Sequence, residues 1–209
     1  FYSIYAHKLT LRIYYNINYI MQNYTDSPYK KIPTDLASRY TMNNQIPVFD
    51  WWLDNRNNDN IIWNDHFITE FCNRFTPDNI RNNKEGTSDY GHEVCVNLLR
   101  SFEDYNIRNQ NVAVVGSLTP WIEAILINMN NTVTTIEYNV PESNYKNVVC
   151  KDYFQYFENN TNTFDSIVSF SSIEHSGLGR YGDPLDPDGD LKTMQVVHNN
   201  LKPDGLFIW

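Results

Sequence analysis

Apolar residues along the C-terminal part of the chain fall into alternating helical and extended patterns. From Thr87-Ser88-Asp89, which reads as a helix start, His92, Val94, Leu98, Leu99 and Phe102 recur at three- and four-residue spacing to about Tyr105. That spacing predicts a helix with one buried face. Val112 to Val115 is a short β-branched run, the pattern of a buried parallel strand, and Gly116 ends it. Thr119 is placed to cap a following helix, with Pro120 in its first turn, over about 120–129. Further along, the pattern gives strands at Val133–Tyr138, Asn147–Cys150 and Phe164–Phe170, with a helical or turn segment over 152–158. A polar loop over 171–189 holds Gly177, Gly179, Gly182, Pro184 and Pro187. It is followed by a helix over about 190–201, a turn at Leu201–Gly205 and a fifth strand from Leu206 to Trp209. Strands alternating with helices over short connections predict an α/β fold, a parallel sheet flanked by helices with right-handed crossovers.

The N-terminal part reads differently. Residues 1–45 are rich in Tyr, Asn and Ile, and Phe1–Met21 fits either an amphipathic helix or a pair of strands. Ser27-Pro28 and Ile32-Pro33 interrupt it. Trp51, Trp52 and Trp63 lie within residues 46–65; they fit a substrate cleft, and fit better the packing of this segment onto the main domain. Residues 54–60 and 76–88 read as polar loops. The expected division is an aromatic-rich N-terminal extension or cap over 1–87 and an α/β domain over 88–209.

A chain of 209 residues with 41% hydrophobic content can build a core of ordinary size. A formal net charge of -9 excludes nucleic acid as the main partner, because phosphate binding needs a basic face. Cys72, Cys95 and Cys150 show neither C-x-x-C nor zinc spacing, so no metal site is expected; Cys95 and Cys150 read as core residues. No run approaches the ~18 apolar residues of a membrane span, which makes a cytoplasmic location the default expectation. The pattern leaves the oligomeric state open.

In an open parallel sheet, ligands bind outside the carboxyl ends of the strands. Those ends carry Gly116-Ser117, Glu137, Asp152 and Ser171-Ser172. Glu137 follows Gly116 by about 20 residues, the separation of an acid that accepts hydrogen bonds from ribose hydroxyls. Asp152 is placed to take the exocyclic amine of an adenine. The hydroxyls of Ser117 and Thr119 are further donors at this site. On the fourth strand's side, His175 is a candidate general base by residue type and Glu174 its neighbour; shaping the turn is the competing role for both. Arg180 and Tyr181 are candidate contacts for an anionic or sugar-like substrate. The alternating acids Asp186, Asp188 and Asp190 fail the calcium-loop pattern, because Leu191 stands where that loop needs glycine. Asp190 reads instead as a cap for the next helix, and His198 as a packing residue.

Val114-Val115-Gly116, Glu137, Asp152, the strand Phe164–Ser169, the Ser172-Ile-Glu-His175 turn and the segment Leu201-Lys-Pro-Asp-Gly205 occur in the order of class I S-adenosylmethionine-dependent methyltransferases, which the chain resembles. The run from Ser169 to Asp190 is similar to a signature of a family catalogued as domain of unknown function 268, first noted in nematodes and related to methyltransferases. The resemblance implies a Rossmann-like core and S-adenosyl-L-methionine as cofactor, held by Gly116, Ser117, Thr119, Glu137, Asp152 and Ser171. It implies methyl transfer to a small-molecule or glycan-type acceptor. A non-catalytic binding or scaffold protein of the same shape is the alternative, and a nicotinamide-dependent oxidoreductase a weaker one, since no G-x-G-x-x-G is present. The sequence departs from the methyltransferase class in two places. The loop after the first strand has one glycine where the class has two or three, and the chain stops after the fifth strand, so it is expected to be C-terminally incomplete.

Overall fold

The computed structural model describes residues 32–49, 61–83 and 87–209. The expectations for Phe1–Met21, Ser27-Pro28, Trp51 and Trp52 lie outside these residues. In chain order the elements are α1 (Ala37–Tyr40), β1 (Ile62–Trp63), α2 (Asp65–Arg74), α3 (Pro77–Arg81), α4 (His92–Asp104), β2 (Asn111–Val115), α5 (Trp121–Asn128), β3 (Thr132–Glu137), β4 (Glu142–Ser143), β5 (Val148–Asp152), α6 (Tyr153–Asn159), β6 (Phe164–Val168), α7 (Gly189–Asn200) and β7 (Leu201–Ile208). A 3-10 turn spans Ile173–His175. The described residues divide into two units, one of 61–83, 87–170 and 196–209, the other of 32–49 and 171–195.

The first unit is built on a sheet of five parallel strands in the order β5-β3-β2-β6-β7. The direction of winding reverses between β2 and β6, the doubly wound arrangement whose ligand crevice lies at that reversal. The mixed α/β fold and parallel sheet expected from the alternating pattern are therefore present. β2 is central, and Val112, Ala113, Val114 and Val115 are all buried, as a strand covered on both faces requires. On one face of α5 lies the sheet and on another lies α2. That double covering explains why the helix buries every residue from Trp121 to Leu126.

Helices α2 and α3 belong to the same core. Asn64 caps α2 by accepting the Phe67 N–H at 2.9 Å, and Thr76 caps α3 by accepting the Asn79 N–H at 3.1 Å, with Pro77 in the first turn. Ile68, Cys72, Phe75 and Ile80 are buried. Asn128 of α5 donates to the carbonyls of Cys72 (2.7 Å) and Phe75 (3.1 Å), satisfying acceptors that the end of α2 leaves open. Trp63, on β1, is buried in this core, which supports packing over a cleft for that tryptophan. One expectation is corrected here: the stretch 76–88 contains a helix, whose polar first turn reads as loop.

Other boundaries also moved. Gly91, at φ 94°, precedes α4, and Ser88 bonds to the Cys95 sulfur instead of capping the helix. The Leu201–Gly205 turn sits inside β7 as a bulge: Phe164 pairs with Leu201, but Ser166 pairs with Leu206. Gly205 is required there, because a Cβ would lie 2.9 Å from the Lys202 carbonyl oxygen. His198 is exposed, so the packing role expected for it is not seen. Cys72, Cys95 and Cys150 are free thiols; Cys72 and Cys95 are buried, whereas Cys150 on the edge strand β5 is half-buried. Among the described residues, no helix is long and apolar enough to cross a membrane.

The second unit consists of α1, the long loop and the start of α7. Its loop is organised by Asp183, whose buried carboxylate accepts the N–H groups of Gly177 (2.8 Å), Gly179 (3.0 Å) and Tyr181 (3.2 Å). Gly177 has φ 87° and packs against Gly189, leaving no room for a side chain at either position. From α1, the Tyr40 hydroxyl donates to the Gly177 carbonyl and Arg39 pairs with Asp188 at 2.6 Å. Lys192 pairs with Asp186 at 2.5 Å. Asp190 accepts the neighbouring Leu191 N–H within the first turn of α7.

Candidate functional site

At the carboxyl end of β2 the chain turns at Gly116, where φ is 80°. The Gly116 N–H still pairs with the Ile136 carbonyl at 3.1 Å, so the loop leaves the sheet only at Ser117. Ser117 is buried, while the next side chain, Leu118, is 78% exposed. The Ser117 N–H donates to Glu137 Oε1 at 2.6 Å, and the Tyr138 N–H donates to Glu137 Oε2 at 2.8 Å. The Asn139 N–H also points to this carboxylate. Burial pushes the Glu137 pKa up, and these N–H groups pull it back. Glu137 thus ties the end of β3 to the loop that follows β2. Thr119 does not cap α5; Pro120 holds that position, and the Thr119 carbonyl accepts the Trp121 N–H at 2.8 Å and the Ser117 hydroxyl at 3.1 Å.

A second carboxylate, absent from the sequence-based site, lies beneath this loop. Glu123, in the first turn of α5, is 0% exposed. The Ser117 hydroxyl lies 3.0 Å from its Oε2, and the Thr135 hydroxyl on β3 lies 2.9 Å from its Oε1. Burial pushes its pKa up to about 7; its hydrogen bonds oppose the rise and the Glu137 charge adds to it. The signal was present in the sequence: Glu123 is the lone charge in Trp121-Ile-Glu-Ala-Ile-Leu-Ile127. A charge in so apolar a helix is buried whenever that helix is covered on both sides.

Around the ends of β3 and β5 stands an aromatic wall. Tyr138 lies 4.6 Å from Tyr153 and 5.3 Å from Phe154 between ring centroids. Asp152 caps α6, its Oδ1 accepting the Gln155 N–H at 2.9 Å, so part of its acceptor capacity serves the helix. At the reversal point, the Ser169 hydroxyl donates to the Val115 carbonyl at 3.0 Å, holding the ends of β2 and β6 together. Tyr90, Trp121 and Phe170 form a second ring cluster, with Tyr90 and Phe170 4.9 Å apart.

The remaining expected residues belong to the second unit. Ser171 follows β6 in the left-handed region at φ 53°, a conformation sparsely populated by residues with a side chain. The 3-10 turn presents His175, whose Nε2 is 3.9 Å from Glu174 Oε1. Its ring meets that of Tyr181 edge-on at 5.8 Å, and the Arg180 guanidinium lies 5.4 Å from the Tyr181 ring centroid. Burial lowers the His175 pKa, which favours the neutral imidazole that a base requires. The structure therefore brings Gly116, Ser117, Thr119 and Glu137 together in one unit, and His175, Arg180 and Tyr181 together in the other.

Comparison with curated proteins and with solved structures finds no match for this chain. One family does match. Residues 109–209, which span both the Gly116–Glu137 region and the 171–190 loop, match the family described as "Caenorhabditis protein of unknown function, DUF268".

Proposed function

We propose that the first unit binds S-adenosyl-L-methionine and that the chain transfers its methyl group to a small-molecule or glycan-type acceptor. The observation that carries this reading is Glu137: an acid at the end of the strand next to the central one, held at the loop after β2, in a sheet wound in the doubly wound order. A carboxylate oxygen has two acceptor sites, so Glu137 can hold its three N–H partners and still accept a ribose hydroxyl. Tyr138, Tyr153 and Phe154 offer flat apolar faces of the kind that stack on a purine. Gly116 and Ser117 would face the cofactor's amino-acid end. When bound, the cofactor supplies an electrophilic methyl group on a sulfonium sulfur. The chain's own residues orient the reactants, and His175 of the second unit is the candidate base by residue type, its neutral form favoured by burial. Arg180 and Tyr181 suit a hydroxyl-rich or anionic acceptor.

A second reading, a non-catalytic relative, is favoured by one observation: both Glu137 oxygens are already engaged by backbone N–H groups. Calorimetric titration with S-adenosylhomocysteine separates the two. Glu137→Ala should weaken binding by about 1–3 kcal/mol, because a ribose hydroxyl loses its acceptor. Unchanged affinity in a folded variant refutes the assignment of Glu137, and no binding to the native chain favours the non-catalytic reading.

A further inference from the structure

We infer that Glu123 keeps a proton in the folded chain and acts, through Ser117, as a positioning residue for the loop 116–119. The Ser117 hydroxyl oxygen lies 3.0 Å from Glu123 Oε2 and 3.1 Å from the Thr119 carbonyl oxygen. A hydroxyl carries one proton, and a carboxylate and a carbonyl are both acceptors. With Glu123 ionised, one of these two contacts has no hydrogen. With Glu123 as a carboxylic acid, every contact has one. Its Oε2–H donates to Ser117 Oγ, the Ser117 hydroxyl donates to the Thr119 carbonyl, and the Thr135 hydroxyl donates to Oε1.

The surroundings agree with this assignment. Glu123 is fully buried and makes no ion pair among the described residues. The ionisable groups facing it bring no positive charge. Glu137 of β3 brings a like charge, and the Cys150 thiol of β5 is neutral, pushed up by burial to about 12. β2 and the rest of α5 have no ionisable side chain. From α2, which packs on α5, Cys72 is buried and its thiol is raised by burial. Asp65, His66 and Glu70 of α2 are exposed, and Arg74 lies over the Phe71 and Phe75 rings. A buried carboxyl without a counter-charge is held neutral.

The consequence is a proton-linked loop. When Glu123 ionises, the Ser117 hydroxyl must turn to the carboxylate, and the Thr119 carbonyl loses one of its two donors, keeping the Trp121 N–H. A negative charge also appears beside Glu137. The link to ligand binding rests on the methyltransferase-like reading above; the protonation itself does not.

The test has a ligand-free arm and a ligand arm. In the first, carboxyl carbons of the glutamates are labelled and followed by NMR against pH, with Glu123→Gln to assign the signal. Glu123 should titrate near neutrality, with the Ser117 amide resonance following the same curve. A Glu123 signal that titrates in the ordinary carboxylate range overturns the inference, and so does a Ser117 amide that ignores the titration. In the second arm, S-adenosylhomocysteine affinity is measured between about pH 6 and about pH 8.5. The native chain should lose affinity with rising pH, by up to about tenfold for each unit by which the ligand raises the Glu123 pKa. Glu123→Gln, whose amide reproduces the acid's donor and acceptor, should bind with no such loss. A pH dependence retained in that variant overturns the positioning role. Absence of binding at every pH refutes the cofactor reading and leaves the first arm to decide on Glu123. If Glu123→Gln does not fold, comparison of the native chain's titration with that of Glu137→Gln assigns the signal.

Discussion

Replacing Glu123 by Gln should make the protein more stable at pH 8. In the folded chain the Glu123 pKa is pushed up from 4.5 to about 7 by burial. Below about pH 4.5 the residue is neutral whether the chain is folded or not, and it contributes no penalty. Between about pH 4.5 and 7 the unfolded chain releases this proton and the folded chain keeps it. Stability is lost over that window as pH rises, and the loss is constant above it. At about 1.4 kcal/mol per pKa unit, the penalty reaches about 3 kcal/mol. Glutamine offers an N–H₂ to Ser117 and a carbonyl to Thr135, the pairing of the protonated acid, and has no charge to bury. The gain at pH 8 should therefore approach that figure, or a rise in Tm of about 5–10 °C for a domain of this size, and should vanish near pH 4.5. Urea unfolding of both proteins across this range measures it. A variant less stable than the native chain at pH 8 would show that the ionised form is paired after all.

Three further outcomes are expected. Gly177→Ala would place a Cβ 2.0 Å from the Asp186 carbonyl oxygen at φ 87°, and should destabilise the second unit by about 3 kcal/mol; native-like hydrogen-exchange protection of the Asp183-bound amides in that variant would count against the packing described. Asp165 is held below its ordinary pKa by the Lys202 hydrogen bond, helped by the Asn111 N–H. Its contribution should be present above about pH 4 and lost as pH falls through the depressed value. Since both partners are partly exposed, Asp165→Asn should cost about 0.5–1 kcal/mol at pH 7 and progressively less as Asp165 becomes protonated in acid, as read from the pH dependence of unfolding. Ser117→Ala keeps the N–H that reaches Glu137 but removes the hydroxyl that reaches Glu123; it should abolish the pH dependence of S-adenosylhomocysteine binding without abolishing binding, and loss of both would show that the hydroxyl itself contacts the ligand.

The sheet was legible because its strands are short β-branched runs broken by glycine and polar residues, a signal that depends on local sequence alone. Asn111–Val115 and Thr132–Glu137 fall within about a residue of expectation, and Glu137 stands at a strand end as its spacing implied. What stayed hidden depends on long-range packing. Nothing local shows that α2 covers α5, and without that covering Glu123 reads as a surface charge on a helix. Thr76-Pro77-Asp78-Asn79 is polar enough for a loop, and only Ile80 entering the core makes it a helix. The Leu201–Gly205 turn was recognised from its residues, but whether a turn ends a strand or bulges within it is decided by the partner strand. Asp183 was one acid among several in a polar loop; its role depends on three N–H groups that converge only when Gly177, Gly179 and Gly182 adopt positive φ.

The glycine-poor loop after β2 is where the two functional readings part. A loop with several glycines approaches a ligand by having no side chains in the way. This loop has one glycine, turns Ser117 inward and Leu118 outward, and commits the Ser117 N–H to Glu137 and its hydroxyl to the Glu123 network. A fold kept only as a scaffold has no need of two carboxylates under a loop, because burying Glu123 is destabilising and an apolar residue would pack there without penalty. Carboxylates that hold a loop with few glycines in one conformation are what a binding site requires, since the loop's shape must exist before the ligand arrives. If this is the reason for Glu123, replacing Glu123, Ser117 and Thr135 together by apolar residues of similar volume should raise stability and lower S-adenosylhomocysteine affinity. A variant that gains stability and keeps full affinity would remove the case for a function in this network.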